Sequence, residues 1–446
     1  MKKGLIIILI NSLILTLLPS FTVIHSTNNS KSHIDSGNNA ITWKNLSKSD
    51  QQLLNKIEKK AFEFFWNGAD PLTGLGDAGS LSKSDRVSIA SEGFALSSIC
   101  IADTRGWISH SQACNRVFKI LNSFYKNPNN SNDFCVQGKR GLFYHFINRK
   151  TGKRFGNSEV STIDSGILMA GILNCMEHFK GTTIESMARK IYLKADWKWY
   201  TRPNGAIAAG WTPERGIFGE FKGYNEYILA YVLGLGSPTH PMPDSSWDVY
   251  CGHYRWIKPY KEIGAFLTPL WKMRPEAYLY QFPACWIDFR GKQGHYADYW
   301  QNGINALTAN RKYCLDWAEK NNYPDKKLWG WTACAGKGTY MGFDTPYNGT
   351  IAPSAVVASL PFIPNYAFPT LKRMYEKYGD KIWGKYGFTD AFNLAQNWYD
   401  NGYISIDEGN TVLMIENFRS GNVWKGFMKV PYIRNAMKKA GFVLKN

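Results

Sequence analysis

Eight carboxylates stand where they could do chemistry, at the mouths of helical runs or in loops rich in aromatic residues and glycine: Glu159, Asp164, Glu220, Glu226, Asp288, Asp407, Glu408 and Glu416. Glu226 is the most pointed of them. It follows Asn225 at the head of the apolar run Ile228, Leu229, Ala230 and Leu233, which must face protein, and it is flanked by Tyr224 and Tyr227. Partial desolvation there would raise its pKa and let it hold a proton for delivery. A plain cap on the same helix, favoured by the helix dipole, is the competing reading of that residue taken alone. Asp164 occupies a similar mouth, ahead of the small-residue apolar run 165–173, and Asp407 lies in Tyr403-Ile-Ser-Ile-Asp-Glu-Gly409, just before an apolar helix containing Glu416. Two carboxyl groups, one protonating a departing oxygen and one activating water or attacking carbon, are what cleavage of a glycosidic bond requires. Asp288 has Arg290 two positions on, so it reads as a structural ion pair or an acceptor for a sugar hydroxyl.

Other chemistries lack their residues. The chain has no H-E-x-x-H, P-loop, dinucleotide fingerprint or G-x-S-x-G elbow. His145, His240 and His253 are isolated from one another, and lone histidines are more often hydrogen-bonding groups than ligands, so no metal and no cofactor are expected. The eight cysteines are scattered without a C-x-x-C pair, which excludes a zinc ribbon or a dithiol redox motif. Disulfides and buried free thiols both remain open for them. The net charge of +18 raises nucleic acid as a partner, but the lysines are spread along the chain with no basic stripe, so a solvated basic surface is expected and nucleic acid is not. The excess of rings, 17 Trp, 25 Tyr and 25 Phe, is more telling, because many stand beside glycine or aspartate where flat faces could stack on sugars. Trp211, Trp286 and Trp331 are each a core or loop anchor when read singly; together they outline a sugar-stacking cleft.

These side chains need a scaffold, and the periodicity supplies a helical one. Helices are predicted over 49–65, from about 88, over 109–124, 165–173, 184–199, 228–233, 296–318, 352–360, 369–378 and 412–418, with short helical stretches at 263–270 and 275–280. Residues 142–154 read as a short hairpin and 246–261 as an aromatic loop. With no strand run long enough for a sheet core, the domain is all-α. Runs 166–173, 228–233 and 352–360 are apolar nearly all round, like inner helices, whereas 53–65 and 296–318 are amphipathic like an outer layer. Such a pattern fits a helical toroid with functional loops at one end. Residues 1–25 pair Lys2 and Lys3 with an apolar run over 5–18, too short to span a bilayer comfortably, and read as an export signal. No cysteine precedes Cys100, so no lipid anchor is expected. Residues 26–45 read as a flexible leader and 46–446 as one domain, a monomer without membrane insertion, periplasmic or secreted.

The ordered motifs resemble a known family. Ser161-Thr-Ile-Asp-Ser-Gly166, Gly223-Tyr-Asn-Glu-Tyr227, Gly236-Ser-Pro-Thr-His-Pro241, Trp286-Ile-Asp-Phe-Arg-Gly291, Gly349-Thr-Ile-Ala-Pro353, Tyr386-Gly-Phe-Thr-Asp-Ala391 and Ile406-Asp-Glu-Gly409 with Leu413-Met-Ile-Glu-Asn417 resemble the glucoamylase-like proteins of glycoside hydrolase family 144. The resemblance implies an (α/α)6 toroid and an inverting hydrolase of β-1,2-glucan, endo-acting or releasing sophorose from an end. It implies Glu226 as general acid, with Asp407 as base and Asp164 and Glu408 behind it. Glu159, Trp211, Glu220, Tyr224, His240, Trp286, Asp288, Arg290, Trp331 and Glu408 are the residues expected to hold the glucan. Trp331-Thr-Ala-Cys334 lacks the glutamate of the related glucan synthases, which argues against their retaining chemistry.

Overall fold

The computed structural model describes residues 40–445 except 81–84, 126–133, 271–273 and 343–344. The expected export signal and most of the leader lie outside the described residues. Residues 40–45, the last of the expected leader, are tied to the fold: the Ile41 amide donates to Asn365 Oδ1 at 2.7 Å, and Trp43–Asn45 form a 3-10 turn.

Helices follow one another in six pairs: α1 (Lys48–Gly68) and α2 (Ile89–Thr104), α3 (His110–Tyr125) and α4 (Thr162–His178), α5 (Thr183–Leu193) and α6 (Ile228–Gly236), α7 (Ser245–Cys251) and α8 (Tyr278–Trp286), α9 (Tyr299–Lys320) and α10 (Pro353–Val357), α11 (Pro364–Ile382) and α12 (Ser405–Arg419). Two more, α13 (Asn422–Phe427) and α14 (Pro431–Lys439), close the chain. The second helix of every pair is buried on nearly all sides; all nine residues of α6 are buried. The first helices bury one stripe each, as α1 does with Leu54, Ile57, Ala61, Phe64 and Phe65. The result is an (α/α)6 toroid, an inner ring of apolar helices within an outer ring of amphipathic ones.

Small residues set how close the inner helices come. A Cβ at Gly93 would lie 2.2 Å from the Ile167 carbonyl oxygen, and one at Gly171 would lie 2.1 Å from the Gly93 carbonyl oxygen, so α2 and α4 touch backbone to backbone. Strands are short and lie in the connections, mostly as two-stranded pairs. All eight cysteines are free thiols. Among the described residues, no helix is long and apolar enough to cross a membrane.

Local differences from expectation have local causes. The helix expected over 184–199 stops at Leu193, because Asp196 caps a turn by accepting from the Trp199 amide at 3.0 Å. The expected aromatic loop contains α7, and the expected helix at 263–270 is the strand Phe266–Thr268, paired with Arg255–Ile257. Residues 142–154 do turn back on themselves, the Asn148 amide donating to the Lys153 carbonyl at 2.8 Å and Ile147 bridging Arg154, while Phe146–Asn148 also pairs with Arg86–Ser88 and Leu142–Phe143 with Gly138–Lys139.

Candidate active site

The N-terminal ends of the inner helices and the loops before them surround a cleft of about 1120 Å³. Ser88 and Ala90 line it at the head of α2, Ile163, Asp164 and Ile167 on α4, Glu226 before α6, Tyr278 and Phe282 on α8, and Ile404, Ser405 and Ile406 at the head of α12. The hairpin of Cys334–Gly336 and Thr339–Met341 contributes Ala335, Thr339 and Tyr340, and the segment before α12 contributes Trp398, Asp400 and Tyr403. Helix dipoles point their positive ends at this space, which suits carboxylates.

Among the described residues, three carboxylates reach it: Asp164, Glu226 and Asp400. Glu226 is aimed by a turn rather than by the helix itself. The Asn225 side chain accepts from the Tyr227 amide at 2.9 Å, the Glu226 carbonyl accepts from the Leu229 amide at 3.2 Å, and α6 starts at Ile228. Asp164 lies in the first turn of α4, where Ser161 caps the helix and its hydroxyl donates to Asp164 Oδ2 at 2.5 Å. His145 Nε2 lies 3.5 Å from Asp164 Oδ1, and its Nδ1 lies 3.2 Å from Glu159 Oε1. These three side chains bring their polar atoms within 4.8 Å of one another. Both imidazole nitrogens are engaged by carboxylates, so the cation of this cluster is the histidine itself. Burial works against that charge, but Asp164 and Glu159 outweigh it and hold the imidazole above its ordinary pKa. Asp400 is raised above its ordinary range by burial, against hydrogen bonds from the neighbouring backbone amides.

Asp407 and Glu408 are placed differently from the expected cleft-facing base. Both are buried in the first turn of α12 and neither lines the cleft. Asp407 packs beside Asp390 and accepts from Ser354 Oγ at 3.3 Å. Burial, with the Asp390 charge added, pushes Asp407 well above the carboxylate range, and burial pushes Asp390 to about 7 against the Ala335 amide that donates to it at 2.6 Å. The physical reason is the pitch of α12, which turns Ser405 and Ile406 to the cleft and the next two side chains into the wall.

None of the expected glucan-holding residues lines the cleft. Trp286 is fully buried, donating to Ser97 Oγ at 2.9 Å, and Tyr224 is buried against Tyr280. Trp331 packs on Tyr313 and Tyr347, and Lys139 covers the Trp211 ring. Glu220 pairs with Lys222 and accepts from Asn204. Asp288 and Arg290 form a two-pronged ion pair after the C-terminus of α8, with the guanidinium over Trp424, and His240 follows the C-terminus of α6. Those last three sit at the opposite helix ends from the cleft. Glu159 stands behind His145. The rings that do line the space are Phe146, Tyr278, Phe282, Tyr340, Trp398 and Tyr403, together with Arg86, whose guanidinium lies over Phe146 at 4.8 Å. Asp400 was within reach of sequence reasoning, because Trp398-Tyr-Asp-Asn-Gly-Tyr403 is itself an aromatic, glycine-bearing loop with a carboxylate.

Residues 220–431 match the family described as "Putative glucoamylase". The chain is 25% identical over an alignment of 428 residues to the exo β-1,2-glucooligosaccharide sophorohydrolase of Parabacteroides distasonis, covering 88% of this chain. It spans 58% of the length of that curated relative. A crystal structure from Bacteroides uniformis described as a glucoamylase superposes with a TM-score of 0.82 at 28% identity, covering 90% of this chain and 100% of that one. The endo-β-1,2-glucanase of Chitinophaga pinensis, solved with sophorotriose and glucose, superposes with a TM-score of 0.81 at 26% identity, covering 89% and 99%. The chain is similar to this glucoamylase-like family over residues 220–431, a little under half of its length. The glucoamylase-like toroid thus accounts for the two helical layers, and the family match spans Glu226, Asp400 and the hairpin beside the cleft.

Proposed function

We propose that the protein is a glycoside hydrolase that cleaves β-1,2-glucan with inversion, Glu226 acting as general acid and Asp164 as general base. The observation that supports this most is the convergence of three carboxylates on one ring-lined cleft at the helix N-termini. Asp164 suits the base because the Ser161 hydroxyl and the His145 ring fix the direction of its carboxylate at the cleft wall. Glu226 lies on a different helix mouth of the same cleft, so the two carboxyl groups approach the space from separate elements. Phe146, Tyr340 and Trp398 offer faces for the C–H sides of glucose rings, and Asp400 offers an acceptor for a hydroxyl. The names of the relatives, a sophorohydrolase and an endo-β-1,2-glucanase, supply the linkage.

Incubating the protein with linear β-1,2-glucan and following products over time tests the reading. Sophorose accumulating from the start indicates attack from an end, and a ladder of longer products indicates internal attack. Cleavage confined to α-1,4 or β-1,4 glucans would remove the substrate assignment. Proton NMR of the first-formed anomer tests inversion. The apolar run over 5–18 supports export, so the mature protein is expected to begin near residue 26, which N-terminal sequencing of protein from the envelope or medium decides.

A further inference from the structure

Among the described residues, His145 is the one histidine that lines the cleft, and its surroundings define its protonation. Its backbone is pinned on both sides: the amide donates to the Glu159 carbonyl at 2.8 Å, and the carbonyl accepts from the Ile89 amide, at the start of α2, at 3.1 Å. The ring lies on Phe146 with centroids 3.8 Å apart. Each ring nitrogen then faces a carboxylate oxygen, Nδ1 towards Glu159 and Nε2 towards Asp164. A neutral imidazole has one N–H and one lone pair, so in this arrangement its lone pair would face an anion. Only the doubly protonated ring presents a donor to both. The opposing charges are Arg86, over the same Phe146 ring, and Arg154, which donates to Glu214 and lies near Glu159.

We propose that His145 is a positioning residue, an imidazolium held between Glu159 and Asp164 that turns the Asp164 carboxylate to the cleft for its work as base. Ser161 occupies Asp164 Oδ2 and the imidazolium attracts Oδ1, so the carboxylate is fixed by two donors of different kinds. His145 itself touches no reacting atom. The inference rests on the hydrolase reading for its consequence and on geometry alone for the protonation state.

The experiment has two arms. In the first, nitrogen-15 NMR of histidine-labelled protein, with His145→Gln to assign the signal, is expected to show both ring nitrogens protonated at pH 7. A ring that becomes neutral below about pH 6 overturns the clamp whatever the enzyme cleaves. Glu159→Gln provides a second variant at the cleft margin and is expected to lower the pH at which that signal titrates; an unmoved titration overturns the clamp as well. In the second arm, the acid limb of kcat/KM on β-1,2-glucan is measured for His145→Gln. Loss of an adjacent cation raises a carboxyl pKa by roughly 1 unit or more, so that limb is expected to move to higher pH by about that amount. A folded variant whose acid limb stays in place overturns the positioning role. Wild-type protein that cleaves no β-1,2-glucan overturns the hydrolase reading and leaves the NMR result standing, so the two failures are told apart.

Discussion

Glu226 and Asp164 reach the same space from different helix mouths, one aimed by an Asn225 turn and the other by a Ser161 cap. If Glu226 delivers the proton, Glu226→Gln keeps its size and its backbone turn but removes the acid. A general acid contributes about 10²- to 10⁴-fold, so kcat on β-1,2-glucan is expected to fall by that order with the thermal midpoint unchanged. Steady-state rates near wild type would sink the assignment. Asp164→Asn and Asp407→Asn divide the base from the buried carboxyl. The first is expected to lower kcat at least about 10²-fold for the same reason. The second replaces a carboxyl that burial and Asp390 keep protonated, so the amide resembles the native form and takes away a group whose ionisation at higher pH would oppose folding. Asp407→Asn is therefore expected to leave melting near pH 5 unchanged and to raise it at pH 8. An equal loss of kcat in both folded variants would return the base to the wall of the cleft.

At the scale of elements, the tightest constraint is the contact of α2 with α4. The run of glycine, alanine and apolar residues over 165–173 already required a close neighbour, and the structure supplies it in Gly93. Gly171→Ala would put a methyl group 2.1 Å from the Gly93 carbonyl oxygen, where backbone must shift. Overpacking of a core costs about 1–3 kcal/mol or more, so a clearly lowered denaturant midpoint is expected; an unchanged one would mean the two helices are not in this contact. Helix identity was legible because apolar spacing follows from burial of one stripe or of all sides. Glu226 and Asp164 were legible as residues at helix mouths for the same reason. What the sequence could not convey was which end of each helix faces the cleft. Asp288, Arg290 and His240 have the right residue types but follow C-termini, and Trp286 has the right ring but sits inside the inner layer. His145 looked isolated because Glu159 and Asp164 meet it only when three separate segments converge.

Across the whole molecule, acids sealed inside the toroid make stability depend on pH in a particular direction. Burial pushes Glu92 of α2 to about 8, with the Gly76 amide donating to it at 2.8 Å, and pushes Asp390 to about 7. Unfolded, these groups titrate near 4.5 and 3.8. Between those values and the raised ones the folded chain binds more protons than the unfolded chain, so stability falls as pH rises through this window. Groups such as Asp325 act oppositely: burial raises it, but Arg373, Tyr378 and Lys377 prevail and hold it below its ordinary value, so its contribution disappears as pH falls below about 4. The two trends place the maximum of the thermal midpoint near pH 5, with a decline towards pH 8 measurable by calorimetry in a fixed salt concentration. Glu92→Gln removes one of the raised acids without changing the shape of the side chain, and its midpoint is expected to decline less over the same range. A wild-type midpoint that climbs from pH 5 to pH 8 would show that these carboxyls are not sealed from water, and with that the inner ring of helices would lose its account of why it buries acids at all.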